Sequence, residues 1–115
     1  MKSDGLTIDM FEADSSDLLD MPVGMLVEEV YRWAEETFPN RTDASMFLKM
    51  YKELGELVDE PSDSLEIADL FIMLMDYARR KNVNITTAVM VKLEINRRRT
   101  WIIKPDGTMS HVKQS

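Results

Sequence analysis

The chain of 115 residues has no cysteine, one histidine and only four glycines. Without cysteine there is no disulfide and no thiolate metal site, which fits a reducing compartment, so we expect a cytoplasmic location. Because His111 is the only histidine and lies in the tail, a nucleophile activated by histidine is not expected. The sequence also lacks the Glu-x-x-His motifs of di-iron bundles and the GxxxxGK[ST] phosphate loop. A bound phosphate must therefore be held by metal and by side chains.

Long apolar runs are missing as well. No run of about 18 apolar residues is present to span a membrane, and residues 1–20 carry six acids but no apolar signal region. We therefore expect neither a membrane segment nor a secretory signal. Residues 1–19, rich in Asp and Ser and without a sustained period, are predicted to form an acidic N-terminal arm. Residues 20–115 are predicted to form one helical domain.

Basic residues are scarce in the front of the chain. The net charge is -7, and nine of the 14 Lys and Arg residues lie from Arg79 onward, where Glu94 and Asp106 are the only acids. An acidic front argues against nucleic-acid binding, which is dominated by neutralisation of phosphates. A small phosphorylated ligand bridged by a metal ion remains compatible with this charge distribution.

Apolar residues recur at helical spacing in four stretches. The predicted helices run from a cap at Asp20, with Pro22 in the first turn, to near Phe38; from Thr42 or Asp43 to about Asp59; from Ser64 to Lys81; and from Asn84 to about Thr100. From about residue 101, a turn at Pro105-Asp106-Gly107 predicts a β-hairpin, which must lie on the helices because an isolated hairpin is marginal. The predicted fold class is all-α, a four-helix bundle with a small C-terminal β-hairpin.

Two pairs of acids, each spaced three residues apart, lie on consecutive predicted helices: Glu53 with Glu56, and Glu66 with Asp69. This spacing puts each pair on one helix face. If the two helices form an antiparallel hairpin, the four carboxylates converge into an oxygen-rich site for a hard divalent cation. The alternative is that the acids form a solvated face and that Glu66 completes a capping box begun by Asp63.

The third predicted helix favours the metal site. Its run Leu70–Met75 is unbroken apolar, and a helix that is apolar nearly all round is usually buried. Two unit charges about 4 Å apart interact by roughly 4 kcal/mol at an effective dielectric of about 20, so carboxylates beside a buried helix need a cation. The same apolar surface exceeds what three short neighbours can cover, which predicts an obligate homodimer or homotetramer. Trp33 and Tyr51 are expected in the core.

Three polar residues share one side of the fourth predicted helix: Lys92, Asn96 and Arg99, at i, i+4 and i+7. Arg97 and Arg98 point elsewhere. Two cations and an amide suit a phosphate tail, because Arg matches planar phosphate oxygens. The alternative is that these residues pair with acids of neighbouring helices.

These motifs together resemble a known family. The segments KELGE at 52–56 and EIAD at 66–69 resemble the EExxE and ExxD motifs of the all-alpha MazG-like nucleoside triphosphate pyrophosphohydrolases. Further residues resemble the short dATP/dGTP pyrophosphohydrolase branch that is common in phages: Asn96 to Trp101, Trp33, Asp106-Gly107 and His111. The resemblance covers about residues 25–113.

The resemblance implies hydrolysis of a (deoxy)nucleoside triphosphate to the monophosphate and pyrophosphate, dependent on Mg²⁺ or on Mn²⁺ in its place, by a homo-oligomer. It implies four metal-ligating catalytic residues: Glu53, Glu56, Glu66 and Asp69. It also implies three substrate-binding residues: Lys92, Asn96 and Arg99. The rival hypothesis is a non-catalytic helical interaction or regulatory module, which has no reason to hold Mg²⁺ with four inward acids.

Overall fold

The computed structural model describes residues 21–113, so the predicted arm at residues 1–19 lies outside the described residues. Within this range the order of elements is α1 (Val23–Thr37), α2 (Asp43–Asp59), α3 (Ser64–Arg80), α4 (Ile85–Arg98), β1 (Trp101–Ile103) and β2 (Met109–His111). The predicted fold class of four helices and a small C-terminal antiparallel hairpin is confirmed. None of the helices in the described range is long and apolar enough to cross a membrane.

The helix starts follow from local chemistry. Pro22 stands directly before α1, not in its first turn as predicted, and its carbonyl accepts from Met25 and Leu26 N–H at 3.0 and 3.1 Å. The predicted cap Asp20 lies outside the described residues. Thr42 caps α2 as predicted, in a reciprocal box with Ser45: each side-chain oxygen accepts from the other residue's backbone N–H.

α1 and α2 both pack against α3, and these three helices belong to a first compact unit that ends at Ile85. Its buried apolar side chains, apart from any in residues 1–20, are few and small: Val27, Val30, Ala34, Met46 and Ala78. A tilted contact between the rings of Phe47 and Tyr77, with centroids 5.1 Å apart, joins α2 to α3. Carboxylates are therefore a large part of what lies inside this unit.

Two expectations about burial are wrong for the chain taken alone. Tyr51 is 75% exposed and Trp33 52% exposed, so neither is a core residue. α3 is not buried all round, because Ile67, Phe71 and Leu74 on one face remain exposed. The expectation that the apolar run makes this helix buried nearly all round is therefore not met within residues 21–113.

The second unit, from Thr86, contains nearly all of α4 and the hairpin. β1 and β2 pair antiparallel, with Ile102 opposite Ser110 at the centre. The turn is as predicted: Gly107 adopts φ +87, and Asp106 Oδ1 accepts from both the backbone N–H and the hydroxyl of Thr108. α4 has no buried residue over its whole length.

Candidate metal and nucleotide site

Glu53, Glu56 and Glu66 meet where α2 and α3 lie side by side. One carboxylate oxygen from each of the three lies within 4.8 Å of the others. Glu53 and Glu66 are only 1% and 2% exposed, which makes them the most completely buried large side chains in the described range. Three of the four predicted ligands are therefore brought together by the antiparallel hairpin that the sequence predicted.

Asp69, the fourth predicted ligand, lies one turn beyond Glu66 on α3 and is half-buried. Burial raises the pKa of its carboxyl above the ordinary value, and the charges of Glu53 and Glu66 raise it further. Its oxygens are not part of the 4.8 Å group, but its electrostatics are coupled to two members of that group. It thus lies beside the cluster.

Lys49 supplies a positive charge at this site. Its Nζ lies 2.8 Å from Glu53 Oε1, one helical turn along α2. Burial acts to raise the pKa of Glu53, but the net shift is downward, and the Lys49 ammonium is the largest cause that lowers it. The site therefore keeps Glu53 as a carboxylate, the form that a metal ion requires.

The donor set fits a hard divalent cation. All the converging atoms are carboxylate oxygens, which suit Mg²⁺ and Mn²⁺ and not softer metals. The charges of Glu53 and Glu66 help to raise the pKa of the neighbouring Asp69, which reflects repulsion between these carboxylates. A bound cation would offset that repulsion.

A second acidic group shares Glu66. Glu60, Asp63 and Glu66 also place one carboxylate oxygen each within 4.8 Å of one another. Asp63 in addition caps α3, since its Oδ1 accepts from Leu65 N–H at 2.9 Å, while its own N–H donates to the Glu60 carbonyl. The structure thus separates the two halves of the predicted capping box: Asp63 caps the helix, and Glu66 directs its carboxylate into the acidic groups.

A pocket of about 530 Å³ opens beside the cluster. Glu53 and Asp69 lie in its wall, and its volume is within the range of small-molecule sites. Most of the remaining lining is aromatic or apolar and comes from all three helices of the first unit: Trp33, Ala34, Phe38, Pro39, Met46, Ile72 and Met73. One buried carboxylate, Glu53, therefore belongs both to the acidic cluster and to the pocket.

Asp76 lies further along α3 and does not belong to the cluster. Both of its oxygens accept from Arg41, at 2.8 Å each. Sequence reasoning did not single out Arg41, because the two residues are 35 positions apart and no local spacing marks such a pair. Asn40 and Ser45 also line the pocket. Sequence reasoning missed them as well, because no local spacing marks them as pocket residues.

The predicted phosphate-binding residues Lys92, Asn96 and Arg99 all belong to the second unit. Arg99 Nη1 donates to Asn96 Oδ1 at 3.3 Å, and both residues are half-buried, whereas Lys92 is exposed. Arg97 and Arg98 instead pair with Glu94, at 3.5 and 3.2 Å. Arg99 thus contacts Asn96, whereas Arg97 and Arg98 contact Glu94.

Comparison with known proteins bears on this site. The sequence model of the dATP/dGTP pyrophosphohydrolase family matches residues 26–115. A dATP/dGTP diphosphohydrolase of Salmonella phage PMBT28 is 48% identical over 82 residues, which are 70% of this chain and 28% of that protein. A dATP/dGTP diphosphohydrolase of cyanophage S-2L is 36% identical over 95 residues, which are 81% of this chain and 90% of that protein. The chain thus spans less than a third of the first relative and most of the second.

A solved structure shares the fold. It is the cyanophage S-2L MazG-like pyrophosphohydrolase bound to dGDP and three catalytic Mn²⁺ ions per active site, which superposes with a TM-score of 0.75 at 34% identity. The superposition covers 84% of this chain and 99% of that chain. Since the family match extends from within α1 through the hairpin, the chain belongs to the dATP/dGTP pyrophosphohydrolase family and has a MazG-like fold.

Proposed function

We propose that the chain hydrolyses dATP and dGTP to the deoxynucleoside monophosphate and pyrophosphate, with Mg²⁺ or Mn²⁺ as cofactor. The observation that carries this proposal is the double membership of Glu53, which lies in the carboxylate cluster and in the wall of the adjacent pocket. A triphosphate held between a base pocket and a metal site needs this adjacency. The activity named for the two phage relatives supports the same substrates.

Four carboxylates would hold the metal: Glu53, Glu56, Glu66 and Asp69. When bound, the ion acts as a Lewis acid on phosphate oxygens and lowers the pKa of bound water. The protein's own part is to hold the carboxylates close together before any ligand arrives, since Glu53 and Glu66 are fixed in the interior. Such preorganisation avoids the cost of gathering like charges at the moment of binding. The cyanophage enzyme binds three Mn²⁺ ions per active site, which is consistent with a site that offers four carboxylates.

The pocket would take the nucleoside. Its lining is largely apolar and includes the Trp33 and Phe38 rings as well as the carboxylates of Glu53 and Asp69. A purine offers a flat apolar face for an aromatic wall, while its phosphates carry the charge that the metal site recognises. The dGDP bound to the cyanophage enzyme is a ligand of this chemistry.

Lys92 and Arg99 remain our proposed phosphate ligands, and Asn96 a residue that orients the substrate. The contact between Arg99 and Asn96 uses only one of the guanidinium nitrogens. Arg99 therefore keeps further donors for phosphate oxygens. Both Asn96 and Arg99 are half-buried, which restricts the geometries that they can adopt.

We further propose that the chain works as a homodimer or homotetramer. Exposed apolar side chains follow one face of α3 at helical spacing, namely Ile67, Phe71 and Leu74. α4, without a buried residue, exposes a second apolar set: Val89, Met90, Val91, Leu93 and Ile95. Contiguous apolar surface of this kind marks interaction sites. Light scattering should give a mass of two or four chains, and a stable monomer at micromolar concentration would contradict this.

The activity is tested by incubating the protein with each deoxynucleoside triphosphate and ribonucleoside triphosphate, with Mg²⁺ or Mn²⁺, and separating the products by chromatography. We expect dAMP or dGMP together with pyrophosphate, and no product in excess chelator. Release of orthophosphate in place of pyrophosphate would contradict the proposed bond cleavage. Absence of any hydrolysis, with no stabilisation by metal, would favour the non-catalytic module instead.

A further inference from the structure

Arg41 lies in the short connection between α1 and α2, and the proposed chemistry does not use it. Its side chain is 6% exposed and that of its partner Asp76 is 7% exposed. Charged side chains are almost never buried to this degree unless they are paired. The burial of these two charged side chains therefore depends on their pairing with each other.

The Arg41 guanidinium makes five hydrogen bonds to three parts of the chain. Nε and Nη2 donate to the two oxygens of Asp76 on α3, each at 2.8 Å. Nη2 also donates to Glu35 Oε1 at 2.9 Å. Nη1 donates to the backbone carbonyls of Ala34 and Phe38, at 3.3 and 3.1 Å. The bidentate geometry with Asp76 fixes the plane of the guanidinium, and the other bonds fix the α1 terminus against it.

These bonds determine how α1 ends. The last turn of α1 has no basic residue of its own, so Arg41 brings the cation that the helix C-terminus favours. The Arg41 backbone N–H also donates to the Phe38 carbonyl at 3.1 Å, which closes the turn between them. The turn of residues 38–41 is thus tied to α3 through Asp76.

The same turn forms a wall of the pocket. Phe38, Pro39, Asn40 and Arg41 itself all line it, and the Phe38 and Trp33 rings make an edge-to-face contact with centroids 5.5 Å apart. Trp33 and Phe38 are each about half exposed, so packing on the core holds them only in part. Movement of the turn would therefore displace Phe38 and remove the edge contact that orients Trp33.

We propose that Arg41, anchored by Asp76, is a positioning residue that holds the turn of residues 38–41 as the aromatic wall of the nucleoside pocket. This inference rests on the proposed function, since it assigns the pocket to the nucleoside. A buried ion pair is weak evidence for a stabilising role, because apolar replacements of both partners are often neutral. A positional role instead explains why five bonds converge on the wall-forming turn.

The test compares Arg41→Lys with wild type in dGTP hydrolysis and in calorimetric binding of dGDP with Mn²⁺. Lysine keeps the charge but cannot span both Asp76 oxygens and two carbonyls. We expect KM for dGTP and Kd for dGDP to rise by about tenfold, with kcat changed by less than about threefold, because a misplaced wall weakens substrate binding. The Mn²⁺ concentration for half-maximal rate at saturating dGTP should not change.

Arg79→Lys is the matched control. Arg79 also joins α3 to α1, through Glu28 at 2.7 Å, but lies away from the pocket lining. KM should stay within twofold of wild type in this variant. An effect of equal size in both variants would overturn the positional role and indicate a general loss of packing between α1 and α3.

A second variant guards against simple unfolding. Arg41→Met combined with Asp76→Leu removes both charges together, so no unpaired charge stays buried, and we expect it to fold. It should still show the raised KM. If either folded variant binds dGDP and dGTP as wild type does, the proposal fails. If the wild type itself neither hydrolyses dGTP nor binds dGDP, the proposed function fails. That result differs from failure of the positional role alone, in which the wild type is active and the variants behave like it.

Discussion

Lys49 Nζ lies 2.8 Å from Glu53 Oε1, and both side chains line the pocket beside the carboxylate cluster. The ammonium thus occupies a position next to an oxygen that we assign to the metal. Because Glu53 is buried, loss of the Lys49 ammonium removes a positive charge that offsets this carboxylate inside the protein. A divalent cation bound at Glu53 would therefore offset the same negative charge as Lys49 does.

Lys49→Met should lower the melting temperature in excess chelator, because the variant loses the ammonium that lies 2.8 Å from the buried Glu53 carboxylate. Added Mn²⁺ should restore most of the loss, so the Mn²⁺-induced shift should exceed that of wild type by a few degrees. Differential scanning fluorimetry with chelator and with millimolar Mn²⁺ measures both shifts. Equal shifts in the two proteins would show that Lys49 and the metal do not share Glu53.

Asp69→Asn should stabilise the metal-free protein at neutral pH. A carboxyl whose pKa is raised on folding gives stability that is present below the unfolded pKa and lost as pH rises through the folded pKa. The neutral amide of the variant does not lose this stability. The excess stability of the variant over wild type should therefore shrink as pH falls towards the ordinary aspartate pKa of about 3.9. Melting curves from pH 7 downward test this. An Asn variant that is less stable at pH 7 than wild type would contradict it.

Glu66→Gln distinguishes between the two roles that the sequence allows for Glu66, a metal ligand or a residue of the helix cap. Glutamine can serve a helix start but is a weak metal ligand, so the variant should fold and lose metal-dependent turnover. Thr42→Ala is the control, because it removes a cap side chain of α2 outside the acidic groups. It should lose about 0.5–2 kcal/mol of stability and keep its activity well below its melting temperature. Full activity in Glu66→Gln would reduce Glu66 to a residue of the helix terminus.

Alanine substitutions in α4 and at Arg99, directly after it, test the phosphate ligands. Lys92→Ala and Arg99→Ala should each raise KM for dGTP clearly, since each removes a cation that we assign to phosphate. Arg97→Ala and Arg98→Ala should not, because both arginines are exposed and pair with Glu94, and such surface pairs contribute about 0–1 kcal/mol. Steady-state kinetics of the four variants would show the difference. Equal rises in KM in all four variants would contradict the assignment of phosphate binding to Lys92 and Arg99.

Local signals in the sequence predicted the elements well. α2 and α3 end at or within one residue of the predicted bounds, because Thr42, Asp63 and Pro61 mark caps and a break. The spacing of Glu53 from Glu56 predicted a shared face, and the short α2–α3 connection predicted the convergence with Glu66. Each of these inferences used residues close together in the chain.

Tertiary relationships were not predictable in the same way. The pair Arg41–Asp76 spans 35 positions, and nothing in its spacing separates Asp76 from the acids of the cluster. Trp33 was expected in the core, yet it is half exposed and lines the pocket. By contrast, Lys49 lies four residues before Glu53, a spacing that predicts helical ion pairs and could have been recognised from the sequence.

Initial rates of pyrophosphate release from dGTP, measured against Mn²⁺ concentration for wild type and Glu53→Gln, test the central claim most directly. Among residues 21–113, Glu53 alone combines near-complete burial with membership of both the cluster and the pocket. Wild type should show a saturable dependence on Mn²⁺, and Glu53→Gln should fold and lose about 100-fold or more of kcat/KM. A Glu53→Gln variant with the wild-type rate and the wild-type Mn²⁺ dependence would contradict the account.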